Sequence, residues 1–190
     1  MRKAVFLDRD GTLNIEKGYI HDIGEVELYP GAARSVRLLN DAGILAILAT
    51  NQTGAARGYY GIEHVRGLNN KVQELLHQEA GARLDAVYYC PHYQDGVVPE
   101  FTRTCDCRKP APGMILQAAG DFKDIDLAES YVIGDKATDI TFARNAGCRG
   151  ILVLTGYGGQ VLAGEYQVLE VAPEKVCADI VEAVNYILQQ

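Results

Sequence analysis

Apolar residues in this chain fall into short unbroken runs, separated by longer stretches with a helical rhythm. The runs KAVFL (3–7), ILAILAT (44–50), LDAVYYC (84–90), SYVIG (130–134) and GILVLT (150–155) read as five strands. They lack the alternation of a strand with one wet face, so they predict strands buried on both faces, as in a parallel sheet. Between them, residues 32–43, 62–81, 112–122, 137–147 and 173–190 repeat apolar positions at helical spacing and predict helices. Gly43, Gly81 and Gly147 stand where helices end on a left-handed residue. Strand–helix alternation along the whole length predicts one doubly wound, Rossmann-like α/β domain over residues 1–190. In such a domain ligands bind at the carboxyl ends of the strands. The irregular stretch 91–109 is too long to be an idle connection.

Composition narrows the partners. With 190 residues, 48% of them hydrophobic and 23% charged, the chain can bury a substantial core. A net charge of −7 argues against general attraction to nucleic acid or to an anionic membrane, so an anionic substrate needs a local cluster of cations. The apolar run before Asp8 is too short for a signal-peptide core, and the longest, Ile44–Ala49, is far short of a membrane span. These features predict a soluble, cytoplasmic protein. No oligomerisation stripe stands out, so a monomer is expected.

The chemistry lies at the predicted strand ends. VFLDRDGTLN puts Asp8 and Asp10 after the first strand; Thr50 and Asn51 end the second, and Asp135 follows the fourth. Arg108 and Lys109 close the irregular stretch. In a parallel sheet these groups converge on one edge. Carboxylates brought together there need a cation or a proton. A calcium loop starting at Asp8 fails, because its sixth and twelfth positions hold Leu13 and Tyr19 rather than Gly and Glu, and no P-loop run is present.

Five cysteines, an odd number, suit a metal site better than a disulfide framework. Cys90 and His92, then Cys105 and Cys107, form two close pairs inside the irregular stretch. Three thiolates and an imidazole make a closed set for a structural Zn²⁺. Such an ion would pin the loop and position Arg103, Arg108 and Lys109 over the site. Cys148 and Cys177 read as core residues, and His64 and His77 as solvated positions on a helix.

DRDGT, the Thr50–Asn51 pair, Lys109 and GDKATD occur in the order of the four motifs of the haloacid dehalogenase (HAD) superfamily of phosphohydrolases, which the chain resembles over nearly its full length. The resemblance implies that Asp8 is the nucleophile and Asp10 the general acid and base. It implies Mg²⁺ held by the Asp8 carboxylate, the Asp10 carbonyl and Asp135, with Thr50 and Lys109 on the transferring phosphoryl group. Lys136 is then expected at substrate or metal. Asp139 either orients a neighbouring lysine or satisfies a helix N-terminus. Too little chain lies between DRDGT and Gly31, or within 91–109, for a cap domain, so a capless, HAD-like member is implied. The zinc loop and GYIHD (18–22) are most similar to its heptose-bisphosphate phosphatase branch, which removes a C7 phosphate in making nucleotide-activated heptose. That branch implies a small phosphorylated sugar substrate, met by Glu16, Lys17, Gly18, Tyr19, Asn51, Gln52 and Thr53, with Arg108 on a distal phosphate. The rival branch hydrolyses histidinol phosphate, and a reading of another class is a phosphate-binding regulatory module that keeps the fold without turnover, against which the catalytic set is complete. Arg57, Arg103 and Arg108 favour the bisphosphate.

Overall fold

Each apolar run forms a strand, and all of the strands pair in parallel. The computed structural model describes residues 1–190. Strands β1 (Ala4–Leu7), β2 (Leu45–Asn51), β3 (Ala86–Cys90), β4 (Tyr131–Gly134), β5 (Arg149–Val153) and β6 (Lys175–Cys177) make one six-stranded sheet in the order β3-β2-β1-β4-β5-β6. The helices are α1 (Ala32–Asp41), α2 (Ile62–Ala80), α3 (Gly113–Asp121), α4 (Ala137–Asn145), α5 (Gly158–Ala163) and α6 (Ile180–Ile187).

The unbroken apolar character of the strands is explained by two separate cores. Val5 and Leu7 of β1, with Leu48 and Ile133 beside them, pack against Val36 and Leu39 of α1, Leu68 and Val72 of α2 and Ile180 and Val184 of α6. The alternate residues Ala4 and Phe6, with Ile47, pack against Met114 and Ile115 of α3 and Phe142 of α4. Because successive side chains point to opposite faces, both sets must be apolar. Fully burying each large side chain contributes roughly 1.5–3 kcal/mol, which makes β1 a rigid mount for the two aspartates that follow it.

The predicted final helix, 173–190, is corrected by the structure. Residues 175–177 instead form edge strand β6, beside Ile151 to Val153 of β5, and the helix begins only at Ile180. A three-residue edge strand is too short to show a period of two and depends on its neighbour for its hydrogen bonds. Asp179 caps the start of α6, accepting from the Glu182 amide (3.0 Å), and Glu182 in turn accepts from the Ala178 amide one residue earlier (2.7 Å). Helix α5 has six residues, two of them glycine, and had no apolar rhythm to announce it. No helix is long and apolar enough to cross a membrane.

Candidate active site

The strand order reverses direction between β1 and β4, and Asp8 and Asp135 follow those two neighbouring strands. This is the switch point at which an open α/β sheet forms its ligand crevice. The Asp8 amide donates to the Ile133 carbonyl (3.0 Å), continuing the ladder one residue past β1 and fixing the aspartate at the edge. Carboxylate oxygens of Asp8, Asp135 and Asp139 lie within 4.8 Å of one another, all buried. Glycine is required around them. A Cβ at Gly11, where φ is +86°, or at Gly156 would collide with the Asp135 carboxylate.

Lys109 reaches this cluster from the far end of the irregular stretch. Its buried ammonium donates to Asp8 Oδ1 (2.8 Å), Asp139 Oδ1 (2.6 Å) and the Ala49 carbonyl (2.9 Å), which uses all three N–H donors. Burial disfavours the ammonium, but Asp139 and Asp8 outweigh that and hold its pKa above the usual lysine value. Asn51 anchors the backbone there: its amide donates to the Lys109 carbonyl (3.2 Å) and its oxygen accepts from the Lys109 amide (3.1 Å). The other oxygen of Asp139 accepts from the Lys136 amide (3.0 Å). Asp139 therefore both orients Lys109 and caps α4, so the two alternatives left open by the sequence hold together.

Asp10 sits differently. Arg9 Nε and Nη2 donate to its two oxygens (3.1 and 2.9 Å), and Asn14 and Gln52 amides add a further donor to each (3.0 and 2.8 Å). Burial pushes its carboxyl pKa up, but Arg9, Asn14 and Gln52 more than reverse this and hold it below the ordinary aspartate value.

The zinc-type residues converge. Cys107 Sγ lies 3.1 Å from Cys90 Sγ, 3.3 Å from Cys105 Sγ and 3.3 Å from His92 Nδ1. All three cysteines are free thiols. A tetrahedral zinc with bonds of about 2.0–2.3 Å to N and S needs donors spaced at roughly 3.5–3.8 Å, so a small expansion of this cluster accommodates the ion. Burial pushes the Cys90 thiol up, which a dication would reverse.

Beside these groups lies a cleft of about 300 Å³. Of the substrate-contacting residues expected from sequence, Glu16, Gly18, Tyr19, Asn51, Gln52, Thr53, Arg108 and Lys136 line it, as do Asp10, Arg57 and Lys109. Lys136 lies 3.4 Å from Glu16 Oε2 and 3.7 Å from Asp135 Oδ1. Thr50, 1% exposed, lies beneath this surface and accepts from Gln52 Nε2 (3.0 Å).

Three expectations fail. Lys17 turns away from the cleft to the Glu25 carbonyl (2.9 Å) and Glu27 (3.2 Å), because acceptors of its own loop lie closer. Arg103 does not reach the cleft either; its Nη2 stands 2.8 Å from His92 Nε2. His64 is half-buried, with Nε2 2.9 Å from the Ile20 carbonyl, and ties α2 to the loop that carries Tyr19. His77 is exposed, and Cys148 and Cys177 are buried.

Known proteins are similar to this chain in sequence and fold. The HAD-hydrolase-like family matches residues 106–183. A D-glycero-D-manno-heptose-1,7-bisphosphate 7-phosphatase from Thermosynechococcus vestitus is 52% identical over 189 residues, 98% of this chain and 95% of that protein. This chain belongs to the HAD-like hydrolases. A D-glycero-beta-D-manno-heptose-1,7-bisphosphate 7-phosphatase from Escherichia coli K12 is 43% identical, covering 80% of each chain. Among solved structures, a D,D-heptose 1,7-bisphosphate phosphatase from B. bronchiseptica, complexed with magnesium and phosphate, superposes with a TM-score of 0.85 at 34% identity, covering 98% of both chains.

This HAD-like hydrolase also carries groups that the sequence reading missed. Arg9, lying between the two motif aspartates, and Asn69 of α2 are both buried in the network around Asp10. Tyr60, Thr138, Tyr157, Tyr166 and Gln167 complete the cleft wall. Tyr157 follows the end of β5 by a few residues, so the strand-end rule could have found it. Tyr166 reaches the cleft by stacking on Tyr157 (ring centroids 4.4 Å apart), a contact without a sequence signal.

Proposed function

We propose that this HAD-like hydrolase removes the C7 phosphate of D-glycero-D-manno-heptose 1,7-bisphosphate. The supporting observation is the division of the cleft's cations into two pairs. Lys109 and Lys136 are tied to the aspartate cluster. Arg57 and Arg108 instead both stand against the ring of Tyr93, at 4.1 and 5.2 Å from its centroid, and Arg57 Nε is buried without a partner. One pair suits the phosphate that reacts and the other a phosphate that is only held, a task for which arginine forks are well shaped. Histidinol phosphate fits less well. The cleft's two carboxylates, Asp10 and Glu16, are already engaged by Arg9 and Lys136, leaving neither free for an ammonium group.

In this reading Asp8 attacks phosphorus in line and forms an aspartyl phosphate. Asp10 gives a proton to the departing sugar oxygen and then takes one from the hydrolytic water. Thr50 and Lys109 stabilise charge on the phosphoryl oxygens. The test is phosphorus NMR on heptose 1,7-bisphosphate: the C7 signal should vanish while the C1 signal persists. Loss of C1 phosphate, or faster turnover of histidinol phosphate, would reject the assignment.

The residues present fit a hard dication. Asp135 Oδ1 is buried with no hydrogen-bond partner, while its other oxygen accepts from the Tyr157 amide (2.8 Å). Asp8 and Asp135, with the Asp10 carbonyl, would hold Mg²⁺, which when bound offsets the negative charge of the aspartates and the phosphate. Burial pushes the Asp135 carboxyl up to about 7, with Asp8 and Asp139 adding to the shift and Lys136 opposing it. A folded pKa above the unfolded value means stability that is complete at acid pH and lost as the pH rises through 7. Magnesium competes with that proton. The rise in melting temperature caused by Mg²⁺ should therefore be clearly larger at pH 8 than at pH 6; equal rises would count against Asp135 as a ligand. Cys90, His92, Cys105 and Cys107 would hold Zn²⁺ as a clasp on the loop that carries Arg108 and Lys109, and metal analysis should find one zinc per chain.

A further inference from the structure

We infer that Arg9 is a positioning residue for proton transfer, holding the Asp10 carboxylate so that one of its oxygens meets the substrate. The inference rests on the phosphohydrolase reading above and concerns a residue with no role in it so far. Arg9 is 2% exposed and does not line the cleft. Its fork donates to both Asp10 oxygens, Nε to Oδ1 (3.1 Å) and Nη2 to Oδ2 (2.9 Å). The fork is held from behind: Nη1 donates to Asn69 Oδ1 (2.9 Å), and Nη2 also donates to Gln52 Oε1 (2.8 Å). Asn69 is itself buried, on α2, sixty residues away in sequence. The guanidinium is thus fixed by α2 and by the loop that follows β2.

Arg9 also decides which way Gln52 faces. An arginine can only donate, so the Gln52 oxygen must point to it. The Gln52 amide nitrogen is thereby aimed at Asp10 Oδ2 (2.8 Å) and Thr50 Oγ1 (3.0 Å). Asn14 Nδ2 donates to Oδ1 (3.0 Å) and to the Ile15 carbonyl (3.0 Å). With two donors on each oxygen, the lone-pair directions of the carboxylate are filled, and one donor must yield before a proton can move. A neutral amide yields more readily than a charged fork. Of the two amides, Gln52 borders the cleft and Asn14 is fully buried. Oδ2 is therefore the transferring oxygen, exposed as substrate displaces the Gln52 amide, while Arg9 keeps the carboxyl in place.

The step balances. With the Gln52 amide displaced, Oδ2 carries a proton, taken once from solvent and renewed by the hydrolytic water in each turnover. Asp8 forms a bond to phosphorus as the phosphorus–sugar oxygen bond breaks, and the departing oxygen keeps the electron pair and takes that proton. In the second half, water attacks phosphorus, its proton goes to the Asp10 carboxylate, and Asp8 departs with its electron pair.

The test compares leaving groups. A sugar oxygen needs the proton, whereas the phenolate of p-nitrophenyl phosphate leaves without one. Arg9→Met should lose about 100-fold in kcat on the sugar bisphosphate, the scale of general-acid catalysis, with KM changed less than about threefold. Its first-turnover burst of p-nitrophenolate, followed by stopped flow, should fall by no more than about fivefold. Arg9→Lys keeps the charge without the fork and covers the case in which Arg9→Met fails to fold; about a tenfold loss in kcat on the sugar bisphosphate with an intact burst is expected of it. Equal losses on both substrates, or a rise in KM with kcat unchanged, would overturn the inference while leaving the phosphatase reading intact. A wild-type protein that releases phosphate from neither substrate would overturn that reading and this inference with it.

Discussion

Asp8→Asn is expected to reduce phosphate release at least about 1,000-fold, the scale on which removing a covalent nucleophile acts, while leaving the fold intact. The change is nearly isosteric at a residue 4% exposed, whose backbone amide is already fixed to Ile133. The asparagine oxygen can still accept from Lys109, so the lysine is not released. What is lost is the anionic oxygen that attacks phosphorus. The substitution also removes one of the like charges that help to lift the Asp135 carboxyl, so the melting temperature of the metal-free protein should stay level or rise. Phosphate release on the sugar bisphosphate, measured with thermal melts of both proteins, separates the outcomes. Undiminished turnover would remove Asp8 from the role of nucleophile; lost turnover with a collapsed melting temperature would reduce it to a structural residue.

Lys109→Met should be the most destabilising single change at the site, by about 3–5 kcal/mol, because it strands buried carboxylates without their partner. Folded domains have only about 5–15 kcal/mol in hand. The ammonium makes two buried ion pairs, with Asp8 and Asp139, in an environment where lysine and both acids are almost fully enclosed. The cost should depend on pH. Burial already raises the Asp139 carboxyl, against the pull of Lys109, and removing the lysine raises it further. A group with a raised folded pKa stabilises at acid pH and loses that contribution as pH climbs, so the gap between Lys109→Met and wild type should be wider at pH 8 than at pH 5. Adding Asp139→Asn to Lys109→Met should recover part of the loss. Urea denaturation of the two single variants and the double variant at both pH values measures this. Additive losses with no pH dependence would show that Lys109 and Asp139 are not coupled.

Local forces were legible in the sequence, and long-range ones were not. The five apolar runs and their helices were legible because a strand buried on both faces must be apolar throughout, and because Gly43, Gly81 and Gly147 close three helices with positive φ. The strand ends and the close of the irregular stretch were enough to bring Asp8, Thr50, Lys109 and Asp135 to one edge. Side chains with a choice of partner were not legible in this way. Lys17 and Arg103 found nearer partners on their own loops, and His64 of α2 found the Ile20 carbonyl. Strand β6 was hidden because three residues carry no period, and its pairing energy resides in β5.

The sequence by itself determined the parallel sheet, the edge at which the aspartates gather and the pairing of Cys90 and His92 with Cys105 and Cys107, since periodicity and spacing are properties of the chain alone. Only the tertiary structure decided which cations share the cleft, that Asp139 serves Lys109 and α4 together, and that Arg9 turns inward to grip Asp10. Those choices depend on distances between segments as far apart as Arg9 and Asn69, where burial leaves a charged group no option but the partners the fold supplies.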